Sequence, residues 1–139
     1  MKFYAVIDTN VLVSALLRWN SIPGAVVKHA LEGRIIPLWN DEIAAEYREV
    51  LRRRKFPFNT EDIELLLGGI KSRGVYTNPK KVDEELPDPK DVVFYAVTME
   101  TRQTHDAYLV TGNIKHFPER YFVVTPREML DILEEADDG

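Results

Sequence analysis

Along this chain, short unbroken apolar runs alternate with longer stretches in which apolar residues recur at helical spacing. Tyr4-Ala5-Val6-Ile7 has no polar position, the mark of a strand buried on both faces as in a parallel sheet. Val11 to Leu17 continues apolar as a short buried helix, yet Asp8, Thr9 and Asn10 break the run at its middle. "SIPGAVVKHALEG" predicts a second helix, with Ser21 as cap and Gly33 as stop. "RIIPLW" predicts a short strand that ends at Pro37 or lies near an edge. "NDEIAAEYREVLRRRKF" is the clearest amphipathic helix, and "TEDIELLLGGIKSRG" is another, capped by Thr60 and ended by its glycines. "VYTNPKKVDEELPDP" reads as a turn-rich link. "PKDVVFYAVTMETR" is apolar nearly all round, so it is a buried helix. "AYLVTGN" and "RYFVVTP" are further strands, and Thr125-Pro126-Arg127-Glu128 opens the last helix as a capping box with proline at its first position. Strands alternating with helices in this way predict an α/β fold, a three-layer α/β/α sandwich with a mainly parallel sheet. One domain over residues 1–139 accounts for the chain, with an acidic tail from about Glu134.

Composition narrows the chemistry. The chain has no cysteine, which removes thiol nucleophiles, disulfides and thiolate zinc sites and fits a reducing cytoplasm. No leader pattern and no run of membrane-spanning length is present, so the sequence reads as cytoplasmic with no membrane partner. A net charge of −5 argues against a general nucleic-acid coat but leaves room for a local basic groove. The basic residues do cluster: Arg52-Arg53-Arg54-Lys55, then Lys71 with Arg73, then Lys80-Lys81.

In an open parallel sheet, ligands bind beyond the carboxyl ends of the strands. Asp8 ends the first strand, Asn113 follows the "AYLV" strand after Thr111-Gly112, and Asp91 opens the all-apolar helix before that strand. The amphipathic helix adds Glu42, Glu46 and Glu49. At about 100° per residue, the stripe of Ile43, Tyr47, Val50 and Leu51 spans roughly 80° to 180° from Glu42, and Glu46 falls near 40°. Glu46 is therefore the acid nearest the buried face, and the other two face water. Three carboxylates gathered in a half-buried site repel one another and lose hydration, and a hard divalent cation such as Mg²⁺ or Mn²⁺ relieves both.

At these residues the chain resembles the PIN-domain ribonucleases, a family that includes the toxin components of toxin–antitoxin pairs. "VIDTNVLVSALL" is similar to the first family motif, "AAEYREVL" to the second, "DPKDVVFYAV" to the third and "AYLVTGNIKHF" to the fourth, in family order over nearly the whole chain. The resemblance implies about five parallel strands and an acidic Mg²⁺ or Mn²⁺ pocket that hydrolyses RNA with an activated water. It gives Asp8, Glu46 and Asp91 as metal ligands and catalytic residues, Asn113 as the fourth catalytic position, and Thr9, Asn10 and Thr111 as supports. It also implies a small antitoxin partner, inserted with an arginine near the carboxylates, and a homodimer to which Trp19 or Leu65-Leu66-Leu67 contributes. Asn113 departs from the aspartate common at that position, which favours one well-held metal with a second recruited by substrate.

Simpler readings compete. Asp8, Thr9 and Asn10 are all helix-cap residues, and Asp88-Pro89-Lys90-Asp91 is itself a cap pattern; we assign Asp88 to capping and Asp91 to metal. Arg52, Arg53, Arg54 and Lys55 are candidate RNA-phosphate contacts or simply the solvated cationic end of a helix. The histidines have no metal-ligand spacing, although His116 lies close enough to Asn113 to act as a proton carrier. The tryptophans and tyrosines read as core or interface. No serine sits in a nucleophile turn, and no phosphate loop is present. An aspartyl phosphatase would need a second acid where Asn10 stands. The main alternative is a non-catalytic PIN-like module that binds RNA or protein.

Overall fold

The computed structural model describes residues 2–138; Met1 and Gly139, the ends of the expected domain, lie outside the described residues. Five strands form one parallel sheet in the order β3-β2-β1-β4-β5. They are β1 (Phe3–Ile7), β2 (Ile35–Trp39), β3 (Val75–Tyr76), β4 (Ala107–Val110) and β5 (Val123–Val124). Six helices connect and cover them: α1 (Thr9–Leu17), α2 (Ile22–Glu32), α3 (Asp41–Leu51), α4 (Thr60–Arg73), α5 (Val92–Arg102) and α6 (Pro126–Asp138). This is the α/β sandwich that the alternating pattern predicts. Consecutive residues of β1 face opposite sides of the sheet, and Ala5, Val6 and Ile7 are all at most 1% exposed, so both faces are covered at the centre. α5 packs on β1 and β4 with α3 beside it, while α2 packs on β2 between α4 and α6.

Local chemistry explains most boundaries. Ser21 accepts from the Gly24 amide to start α2, and Gly33, at φ 92°, ends it in the left-handed region. Thr125 and Glu128 exchange the two bonds of a capping box at α6, Thr125 N to Glu128 Oε1 at 3.0 Å and Glu128 N to Thr125 Oγ1 at 3.1 Å. α5 is buried almost all round, Val93 to Thr98 together.

One reading is narrowed and four are corrected. β2 runs two residues past Pro37 and lies next to the edge strand, so of the two readings of Pro37 the near-edge one holds; β3 pairs only with Leu38 and Trp39, so the missing proline N–H breaks no rung of that ladder. The link after Gly74 begins with β3, a strand too short to show alternation. α4 is capped by Asn59, one residue before Thr60, and runs through Gly68 and Gly69 to Gly74. A Cβ on Gly69 would meet Leu31 at 2.7 Å, so the glycine permits close approach of α4 to α2. Leu66 and Leu67 belong to the core, leaving only Leu65 of that triplet exposed, together with Trp19. The acidic stretch from Glu134 is the end of α6 rather than a tail, and Arg34 holds it by an ion pair to Asp137 and a bond to the Leu133 carbonyl. Among the described residues no helix is long and apolar enough to cross a membrane.

Candidate active site

β1 delivers Asp8 to the carboxyl edge of the sheet, where its amide bonds the Val110 carbonyl of β4 at 2.8 Å. Asp8 is also the N-cap residue of α1 and is only 7% exposed. Its Oδ1 accepts from the Thr9 amide at 2.8 Å, and its Oδ2 accepts from Thr111 Oγ1 at 2.8 Å and Asn10 Nδ2 at 3.2 Å. Three bonds fix the carboxylate's orientation without filling all its acceptor positions. Burial pushes its pKa up, while the Thr111 and Thr9 bonds, the charge of His116 and the Asn10 bond pull it down; burial prevails. The hydroxyl of Thr9 is buried with no partner.

The supports brace one another. Asn10 Oδ1 accepts from the Gly112 amide at 3.0 Å, and Thr111 Oγ1 accepts from the Asn113 amide at 3.0 Å. The loop after β4 is thereby stitched to the start of α1 through the residues that hold Asp8. Asn113 turns its side-chain amide to the His116 ring, 3.0 and 3.2 Å from the two ring nitrogens. His116 Nδ1 lies 3.6 Å from Asp91 Oδ2. The side chain of Asn113 is thus linked through His116 toward Asp91, while its backbone amide is linked through Thr111 Oγ1 to Asp8.

Asp91 stands at the junction of a short 3-10 turn (Pro89–Asp91) and α5. Asp88 caps that turn by accepting from the Lys90 amide at 3.0 Å, while the Asp91 side chain makes no cap bond. Burial, then the charges of Asp8 and Asp88, hold the Asp91 carboxyl up at about 6; His116 opposes the rise and Glu46 adds to it. Glu46 is half-buried on α3, with Glu42 and Glu49 exposed on either side. Burial and the negative charge of Glu49 raise Glu46, Lys90 and Arg53 lower it, and Asp8 raises it again. Tyr47, the next residue, donates to the Ile7 carbonyl from a fully buried hydroxyl, which pins α3 to the strand ahead of Asp8.

Asp8, Glu46 and Asp91 thus share one electrostatic field, and among the described residues none forms an ion pair with lysine or arginine. That deficit of positive charge is what a divalent cation fits. No set of three or more acids or histidines among the described residues is gathered tightly enough to be a ready-made metal cage. The arrangement therefore fits an ion such as Mg²⁺ or Mn²⁺ that takes one or two carboxylates and keeps several waters.

The basic run sits at the margin. Arg52 pairs with Glu64 at 3.5 Å and Arg53 with Glu49 at 3.3 Å; only Arg53 is near enough to act on Glu46, and Arg54 and Lys55 are exposed beyond the end of α3. Two neighbours escaped weight in the sequence. His116 meets Asp91 across 25 positions of chain, and its only sequence signal is a place three residues after Asn113. Lys90 had a helix-cap setting as its obvious role, yet it acts on Glu46.

A family model described as "PIN domain" matches residues 4–115. An uncharacterized protein of Methanocaldococcus jannaschii is 30% identical over 116 residues, covering 81% of this chain and 72% of that protein. No solved structure matches the chain significantly. The chain belongs to the PIN domain family, whose members are in general nucleases and typically use divalent metal ions.

Proposed function

We propose that this PIN domain is a metal-dependent endoribonuclease, with Mg²⁺ or Mn²⁺ held among Asp8, Asp91 and Glu46, one or two of them directly and the rest through bound water. The observation that supports it above others is that these three acids, from three separate elements, raise one another's pKa, and among the described residues none is in an ion pair with lysine or arginine. When bound, the ion would lower the pKa of a water and offset charge on the phosphodiester oxygens. The chain's own residues do the rest. Thr111, Asn10 and the Thr9 amide keep the Asp8 carboxylate in one orientation, so no reorganisation is needed when charge develops nearby. His116 and Asn113 border the acids at the exposed mouth of the site, where they face a scissile phosphate. The run Arg52 to Lys55 would meet phosphates farther along the strand.

The test is cleavage of a mixed RNA pool by purified protein, with Mn²⁺ or Mg²⁺ and with chelator, beside a folded Asp8→Asn variant. Metal-dependent cleavage that the variant loses supports the nuclease. Equal traces from both proteins mark contamination and count against it. One observation favours a second reading, a non-catalytic RNA- or protein-binding module: the fourth position is Asn113, and its side chain is directed to His116. That module would bind its ligand equally well with Asp8, Glu46 and Asp91 neutralised.

A toxin role with a small antitoxin partner, and a homodimer, have their support in the motif resemblance. Growth arrest on expression, relieved by co-expression of a small neighbouring gene product, tests the first. The mass of the purified protein in solution tests the second.

A further inference from the structure

A groove begins at Glu46, on the outer side of the acid site. A cavity of about 480 Å³ lies between α3 and the start of α5, lined by Glu46, Glu49, Lys90 and Val93. A larger one, about 650 Å³, follows it and shares Glu42, Pro89 and Val93 with the first. Its far walls are Tyr76 of the edge strand and the segment Asn78 to Val82. The two form one channel running from Glu46 to the β3 edge of the sheet.

Its chemistry is specific. Lys80, Lys81 and Lys90 lie along the channel among four acids, Glu46 and Glu49 at the near end and Asp41 and Glu42 at the far end; among the described residues none of the three lysines is in an ion pair. Of the two acids at the far end, Asp41 is engaged by the Tyr76 hydroxyl at 2.8 Å. Tyr76 is also packed edge-on with Trp39, ring centroids 4.9 Å apart, yet it remains 45% exposed. An aromatic ring tethered at its hydroxyl and braced by a neighbour, but still open to solvent, is a stacking platform whose order is already set before a ligand arrives. Asn78 and Glu42 offer donors and acceptors beside it. A paired base presents neither a free face to the ring nor a free edge to these groups.

Resting on the nuclease reading above, we propose that this channel is the path of single-stranded RNA away from the acid site, with one nucleotide seated in the larger cavity. Its base stacks on Tyr76 and its flanking phosphates lie beside Lys80 and Lys81, while Lys90 meets the strand nearer Glu46.

The test is fluorescence anisotropy of a short labelled single-stranded RNA in chelator, which holds cleavage off, across a range of KCl concentration. Replacing Lys80 and Lys81 together by alanine should flatten the slope of log affinity against log salt by about 1.4, the share of two neutralised phosphates on a single strand. Tyr76→Leu should weaken binding about five- to 150-fold, the range for one stacked base, while Tyr76→Phe, which keeps the ring and loses the Asp41 bond that orders it, should weaken it by less. Circular dichroism melts of each variant separate misfolding from weakened binding. A salt slope unchanged in the double lysine variant, or a duplex bound as tightly as the single strand, overturns the proposal. So does RNA that leaves Lys80 and Lys81 as reactive to acetylation as in the free protein, which would give the channel to a protein partner. The two readings fail separately. Binding with these features but no cleavage in Mn²⁺ removes the nuclease and keeps the path. Cleavage that is indifferent to all three side chains removes the path and keeps the nuclease.

Discussion

Two helices of this molecule are introduced by nearly the same four residues, and only one closes on itself. Thr125-Pro126-Arg127-Glu128 and Asp88-Pro89-Lys90-Asp91 both read cap, proline, base, acid. At α6 the acid turns back to the cap residue's amide and the box is complete. Ahead of α5 the cap residue does its part, but the acid makes no cap bond and shares the field of Asp8 and Glu46 instead. The difference lies in surroundings. Glu128 is exposed at the molecule's edge, where local bonding has no competitor, whereas burial first, then the charges of Asp8 and Asp88 and lastly that of Glu46, raise the Asp91 pKa to about 6. A carboxylate left out of a bond its own sequence offers marks a position kept for something other than stability.

Breaking each box in turn sharpens the contrast. Asp91→Asn should cut cleavage by more than about 100-fold, the upper end of what removing even an outer metal-site partner costs, while Glu128→Gln leaves cleavage unchanged. Initial rates on one RNA measure both.

Stability should move the opposite way. The Asp91 pKa in the fold, about 6, lies above its ordinary 3.8, so the native state holds the extra proton between those values. The stability tied to that proton is fully present below about pH 4 and is lost as pH rises through about 6. Denaturant melts in chelator should show this decline in the wild type and a shallower one in Asp91→Asn. At neutral pH the variant should be more stable by about 1 kcal/mol, a full two-unit shift discounted for a site partly open to water. Added Mn²⁺ should reverse the order by stabilising the wild type alone.

Thr125→Ala, which opens the closed box, should lower stability by about 1 kcal/mol without touching cleavage, as read from the same melts. The smallest effect belongs to Asp88→Asn, which keeps a good cap and removes one charge near Asp91. Its stability should stay within about 0.5 kcal/mol of wild type.

How much of this was legible follows the range of the interactions. Cap chemistry is local, so Ser21, Gly33 and the Thr125 box were readable from a few neighbouring residues. Glu46 was separable from Glu42 and Glu49 because a helical turn is a fixed angle, and it is indeed the half-buried one. The strand ends that carry Asp8 and Thr111 were readable from unbroken apolar runs, but the bond between them spans 103 positions and no pattern announced it. The contact of His116 with Asp91 and that of Tyr47 with Ile7 were hidden for the same reason. Tyr47 was counted as part of an apolar stripe, and nothing local says where its hydroxyl goes. Gly69 misled because its use is a close approach to Leu31 of another helix, while Gly68, with nothing within 4 Å of where a Cβ would sit, has no such use. The strand Val75–Tyr76 was invisible because two exposed residues have no periodicity to read.

The brevity of that strand has a further bearing. Both rims of the sheet, β3 and β5, are two residues long. An open sheet edge is a template on which another chain can add its own strand, and long apolar edges lead to fibres and aggregates. Here either rim offers at most a couple of rungs, too few to hold a foreign strand against the entropy of ordering it. The molecule can therefore carry a continuously apolar central strand at high cellular concentration without inviting stacking through its backbone. Any lasting association with its own copies is left to the outer faces of its helices.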